Sequence, residues 1–171
     1  TLSYEIDLWG RIRRQNEAAG ADALASRFAR DSVRLTLIGQ VASEYLVLRS
    51  HDAEVAVSQE TVTSRQETLR IVQARLDAGS SSALELAQAE NSLAAAQSQL
   101  SQLKRLRALS ESQIALLTGQ PGLRIPANLT PLPLPPVPPP GLPSTLLEAR
   151  PDVRQAEEKL VAANARIGVA K

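Results

Sequence analysis

The side chains that could do chemistry in this sequence are few and scattered. The single histidine, His51, stands beside Asp52. A metal or proton-transfer site needs further donors converging on that pair, and none lies at suitable spacing. His51 therefore reads as a solvated helix histidine. Cysteine is absent, which excludes disulfides and thiolate metal ligands. No Ser-His-Asp set, glycine-rich phosphate loop or pair of cleft carboxylates occurs. The chain reads as a non-enzyme with no catalytic residues, cofactor or metal. By its residues alone Gly79-Ser-Ser-Ser-Ala83 reads first as an ordinary helix–helix turn and second as a contact surface, since its small side chains leave backbone and hydroxyls accessible. Loop tips of this kind carry function more often than helix seams do.

The elements that position this stretch are helices. Val41, Leu48, Val55, Val62, Leu69 and Leu76 recur at intervals of seven, which implies one continuous helix with a face held against a partner. Leu35 and Ile38 extend the stripe upstream, and Tyr45 reinforces it between heptads. Glu44, Arg49, Asp52 and Gln59 read as its polar flanks. No proline occurs before Gly79, so the helix is expected from about residue 11 to 78, roughly 100 Å at 1.5 Å per residue.

Gly79 suits a left-handed C-terminal cap, and Ser82 with Glu85 three residues later has the capping-box spacing. The turn is thus expected at 78–83. The return helix carries Leu86, Ala89, Leu93, Ala96, Leu100, Leu103, Ile114 and Leu117 in 3-4 alternation, interrupted by Arg107 and Ser110. Arg107 either pairs with Glu44, Asp52 or Glu54 or extends to water, and the second reading is preferred here. The hairpin is expected over 11–120.

Residues 121–143 hold ten of the eleven prolines and should run extended. Leu132, Leu134, Val137 and Leu142 are candidates to lay this strap on the helices. A further helix is expected over 144–171, capped by Ser144, with Pro151 marking a break. Its apolar set is Leu146, Leu147, Val153, Ala156, Leu160, Ala163 and Ile167. Residues 1–10 alternate polar with apolar over Ser3–Leu8, which suits the end of a strand entering the first helix. The fold class is all-α.

Composition supports thin seams rather than a round core, because aromatic residues make up only 2% against 43% hydrophobic. Net charge is +1 with both signs interspersed, so the basic stripe expected of a nucleic-acid binder is missing. The chain opens at Thr1, contains no methionine and shows no signal peptide; it reads as an excised or processed segment. No apolar run reaches the length of a membrane-spanning helix.

Three segments resemble one family. Tyr4-Glu-Ile-Asp-Leu-Trp-Gly-Arg-Ile-Arg13 is similar to the strand-to-helix entry of TolC-like outer-membrane efflux proteins. Arg75-Leu-Asp-Ala-Gly-Ser-Ser-Ser-Ala-Leu-Glu-Leu86 is similar to their hairpin tip. Leu142-Pro-Ser-Thr-Leu-Leu-Glu-Ala-Arg-Pro-Asp-Val153, with Ala162-Ala-Asn-Ala-Arg-Ile-Gly168, resembles the opening of their second internal repeat, in the lipid-anchored OprM/NodT-like branch. The resemblance implies the periplasmic part of a homotrimeric outer-membrane channel in a Gram-negative bacterium. Such a channel exports drugs, metals or similar solutes with an inner-membrane pump and a periplasmic adaptor. It implies that Arg75, Asp77, Gly79, Ser80, Ser81, Ser82, Ala83 and Leu84 form the adaptor-docking tip. The family's gate residues lie mainly on a second hairpin, outside this stretch. Two other readings stay open: a structural coiled-coil scaffold, and the hairpin of a periplasmic adaptor.

Overall fold

A computed structural model describes residues 7–132, 134–137, 141 and 144–170. Among them all regular structure is helical: α1 (Arg11–Asp77), α2 (Ala83–Thr118), α3 (Thr145–Glu148) and α4 (Pro151–Ala170). The expected strand end falls mostly on residues 1–6, outside the described residues, and Leu8–Gly10 form a bend. Asp7 fixes the start of α1, its carboxylate accepting the N–H groups of Ile12 at 3.1 Å and Arg13 at 2.9 Å. The first helical N–H groups have no intrahelical partner, and an anion there also meets the positive end of the helix dipole. The Arg13 N–H chiefly holds the Asp7 carboxyl below its ordinary range.

The chain divides into two compact units, residues 1–38 with 134–171, and residues 39–133. In the second unit α1 and α2 run antiparallel. The six heptad residues behave as their spacing predicts: Leu48 and Val62 are buried, and Val41, Val55, Leu69 and Leu76 are half-buried. Every predicted seam residue of α2 is likewise buried or half-buried, Arg107 and Ser110 included.

The extension of the stripe is not observed: Leu35, Ile38 and Tyr45 are exposed. Arg107 bonds Asp52, and that antiparallel register brings Thr118, the last residue of α2, level with about Val41. Residues before Val41 therefore have no α2 opposite them. Tyr45 loses for a different reason, since the alternate seam positions go to polar residues, with Glu44 and Ser58 half-buried and Asp52 buried.

In the first unit a 3-4 row of alanines, Ala18, Ala21 and Ala25, is buried on α1, and Ala162 and Ala165 are buried on α4. Side chains this small let helix backbones approach closely; a Cβ added at Gly168 would lie 3.0 Å from Arg14 Cγ. The α4 face inferred from Leu160, Ala163 and Ile167 is therefore out of phase. All three are exposed, as are Ala156, Leu146 and Leu147, while the buried side follows Gln155, Glu158, Ala162 and Ala165. An alanine seam excludes Leu160 because its bulk would hold the helices apart. The ends of this pairing are held by polar groups: Arg166 bonds Asp22, and the Arg154 guanidinium lies 5.9 Å from the Phe28 ring centroid. Ala21→Leu is expected to cost about 1–3 kcal/mol by overpacking, whereas exposed Ala19→Leu should leave thermal unfolding nearly unchanged. Identical melting of the two variants would rule out the alanine seam.

Pro151 acts as anticipated. α3 stops at Glu148, and α4 restarts with Pro151 as its first residue, where a missing N–H costs no helical bond. Ser144, expected as the cap, makes no side-chain capping bond.

Candidate functional site: the hairpin turn and a buried ion cluster

The turn between α1 and α2 is a Schellman motif. Gly79 adopts φ +73°, its N–H bonds Leu76 O at 2.9 Å, and the Ser80 N–H bonds Arg75 O at 2.8 Å. Ser80 Oγ donates to the same carbonyl at 3.1 Å. Ser82 then caps α2, its Oγ accepting the Glu85 N–H at 3.2 Å. The carboxylate of Glu85, expected to complete a capping box, instead accepts from Ser81 Oγ. Asp77 accepts from Gln73 Nε2 at 2.9 Å.

The eight predicted contact residues thus cluster at one end of the hairpin. Their polar groups are used largely within the turn, which makes it rigid. Ser81 is half-buried; the other seven are exposed, Leu84 at 67%. What the turn presents outward is a small-residue surface flanked by the exposed Arg75, Asp77 and Leu84.

A second constellation lies where α1, α2 and the start of the proline-rich segment meet within the 39–133 unit. Asp52, whose side chain has no exposed surface, accepts from Arg107 Nε at 2.7 Å and Arg49 Nη1 at 3.2 Å. Arg107 therefore pairs with a carboxylate, correcting the preference for water. Arg49 and Asp52, two of the polar flanks of the stripe, are buried. Glu111 accepts from Arg124 Nη1 at 3.2 Å and lies 3.8 Å from Arg107 Nη1.

Four further bonds reach the strap backbone. Glu111 Oε1 accepts the Ile125 N–H at 2.7 Å, and Arg107 Nη2 donates to Ile125 O at 2.6 Å. Asp52 Oδ2 accepts the Asn128 N–H at 3.2 Å, and Arg49 Nη2 donates to Thr130 O at 2.9 Å. The Ile125 N–H is the main cause of a Glu111 carboxyl held below the glutamate range. Among the described residues, the buried Arg49 Nε alone of the side-chain polar atoms that qualify as buried has no hydrogen-bond partner.

The strap is therefore tied down, but not by the apolar residues proposed for the purpose. Leu132, Leu134 and Val137 are exposed, the last two almost fully, and Leu142 lies outside the described residues. Sequence reasoning overlooked Arg49, Glu111 and Arg124. The available signal was the pair of helical spacings Arg49/Asp52 and Arg107/Glu111, each placing opposite charges one turn apart beside an apolar seam.

His51 is half-buried, with Nδ1 3.2 Å from Glu54 Oε2. Among the described residues no group of three or more His, Asp or Glu side chains is placed to hold a metal ion. No helix among them is long and apolar enough to cross a membrane.

The fold and its two sites define an α-helical hairpin protein whose seams suit side-by-side helix packing. The chain belongs to the outer membrane efflux protein family, which it matches over residues 1–120. It is 38% identical over 174 residues to the pyoverdine export outer membrane protein OpmQ of Pseudomonas putida, covering 100% of this chain and 37% of that protein. It is 38% identical to the solvent efflux pump outer membrane protein SrpC of Pseudomonas putida, covering 99% of this chain and 36% of that protein. The solved outer-membrane channel OprN matches 98% of this chain and 38% of its own, with TM-score 0.78 and 32% identity. The chain thus spans a little over a third of the length of these relatives.

Proposed function

We propose that this chain is the periplasmic hairpin segment of a homotrimeric outer-membrane channel that exports small solutes. In this reading the channel works with an inner-membrane pump and a periplasmic adaptor, and the hairpin turn is where the adaptor docks. Residues 1–10 lead in from the membrane-embedded part, residues 121–143 strap the hairpin, and residues 144–171 begin a second repeat. Family membership supports the export role, and the pyoverdine and solvent in the names of OpmQ and SrpC point to small organic cargo. The observation that carries the docking assignment is the form of the turn. A Schellman cap followed by three serines presents small groups flanked by one cation, Arg75, one anion, Asp77, and the exposed Leu84. Such a surface accepts the end of another helical hairpin at close range.

The test separates docking from plain connection. In the full-length protein, Ser81→Trp should leave folding and membrane insertion intact, lower resistance to an exported solvent or antibiotic, and reduce adaptor cross-linking. Gly79→Val should lower stability as well as export, because its φ of +73° disfavours a β-branched side chain. Wild-type export and cross-linking by Ser81→Trp would make the turn a mere connector.

A further inference from the structure

We propose that the buried ions form a two-rung clamp that stands in for a sheet partner of the strap, and that acid releases the first rung while the second holds. A segment punctuated by Pro121, Pro126 and Pro131 lacks N–H groups at those positions and cannot join a regular ladder. Its remaining buried N–H and C=O groups still need partners. Each rung supplies one acceptor and one donor. At the first, Glu111 takes the Ile125 N–H while Arg107 gives to the Ile125 carbonyl. At the second, Asp52 takes the Asn128 N–H while Arg49 gives to the Thr130 carbonyl. Arg107 joins the rungs through its bond to Asp52. Within residues 124–130 Leu129 is 62% exposed and Ile125 only half-buried, so these charges carry most of what fixes the path of the stretch.

The rungs differ in how firmly their carboxylates are held. Asp52 of α1 bonds two guanidiniums, at 2.7 and 3.2 Å, and has no exposed side-chain surface. Glu111 of α2 faces Arg107 at 3.8 Å on its own helix. From the strap it faces Arg124 at 3.2 Å, whose side chain is 83% exposed. Protonating Glu111 removes its charge and leaves Arg49, Arg107 and Arg124 against Asp52 alone. The sign follows from a folded carboxyl lying below its unfolded value near 4.5. The first rung contributes fully above that value and is lost as pH falls through the lower folded one.

The experiment follows amide hydrogen exchange of Ile125 and Asn128 by NMR on the 171-residue chain, corrected for intrinsic rates, with Val62 and Leu100 reporting the hairpin. At neutral pH, Glu111→Gln should lower Ile125 protection about tenfold or more while Asn128 and the hairpin amides keep theirs. Acidifying the wild type should reproduce that pattern, and Asp52→Asn should expose Asn128. Unchanged Ile125 protection in Glu111→Gln, which keeps an acceptor oxygen but no charge, overturns the acid release, and unchanged protection in Glu111→Ala, which keeps neither, overturns the clamp. Joint loss at Ile125 and Asn128 with an intact hairpin overturns its division into two rungs. Simultaneous loss at all four amides on acidification overturns the acid release.

Discussion

Asp52→Ala is expected to destabilise the 39–133 unit by about 3–5 kcal/mol, measured by denaturant unfolding followed through helical circular dichroism. The size comes from what is left behind. Removing the carboxylate leaves Arg49, only 7% exposed, without a counter-charge, leaves Arg107, 19% exposed, with Glu111 alone at 3.8 Å, and orphans the Asn128 N–H. Buried charges without a counter-charge are far costlier than the same charges in water. Asp31→Ala is the control. The Asp31–Arg30 pair is solvent-facing, with 41% and 76% of the side chains exposed, and should contribute at most about 1 kcal/mol. Combining Asp52→Leu with Arg107→Met should recover part of the loss, since that double variant removes both a charge and its partner. Equal unfolding midpoints for Asp52→Ala and Asp31→Ala would refute the energetic role given to the cluster.

Leu48→Ala should cost about 2–5 kcal/mol, the range for a leucine truncated where its surroundings cannot collapse. Leu48 is the largest fully buried side chain among the described residues. Leu69→Ala, at a half-buried position nearer the turn, should cost less. Leu35→Ala, 58% exposed, should stay within about 0.5 kcal/mol of wild type. The three leucines look interchangeable in the sequence stripe, so the ordering tests the observed register. A loss at Leu35 equal to that at Leu48 would place α1 in a different phase. Ser58 is not the neutral control that its place off the stripe suggests, being half-buried; exposed Glu60 serves instead.

The sequence by itself determined the helical hairpin, its turn and its family. Heptad spacing, a glycine cap, a serine N-cap and Pro151 are local signals, each acting within a turn or two of its own backbone. They gave a first helix over about 11–78 with its turn at Gly79; α1 spans Arg11–Asp77 and Gly79 takes the left-handed turn. Tertiary structure decided which face of each helix is buried and what holds the strap. Alanine seams at Ala18, Ala21, Ala25, Ala162 and Ala165 carry little hydrophobic contrast, so bulky Leu160 and Ile167 drew the wrong face. The ion cluster was invisible for a related reason. An arginine or aspartate beside an apolar stripe looks solvated until distant chain covers it. Beside Arg49 of its own helix, Asp52 is covered by Arg107, 55 residues on, and Asn128, 76 residues on. The Arg49/Asp52 and Arg107/Glu111 spacings mark possible pairs, but whether a charge lies in water or in a network is settled by what packs on top.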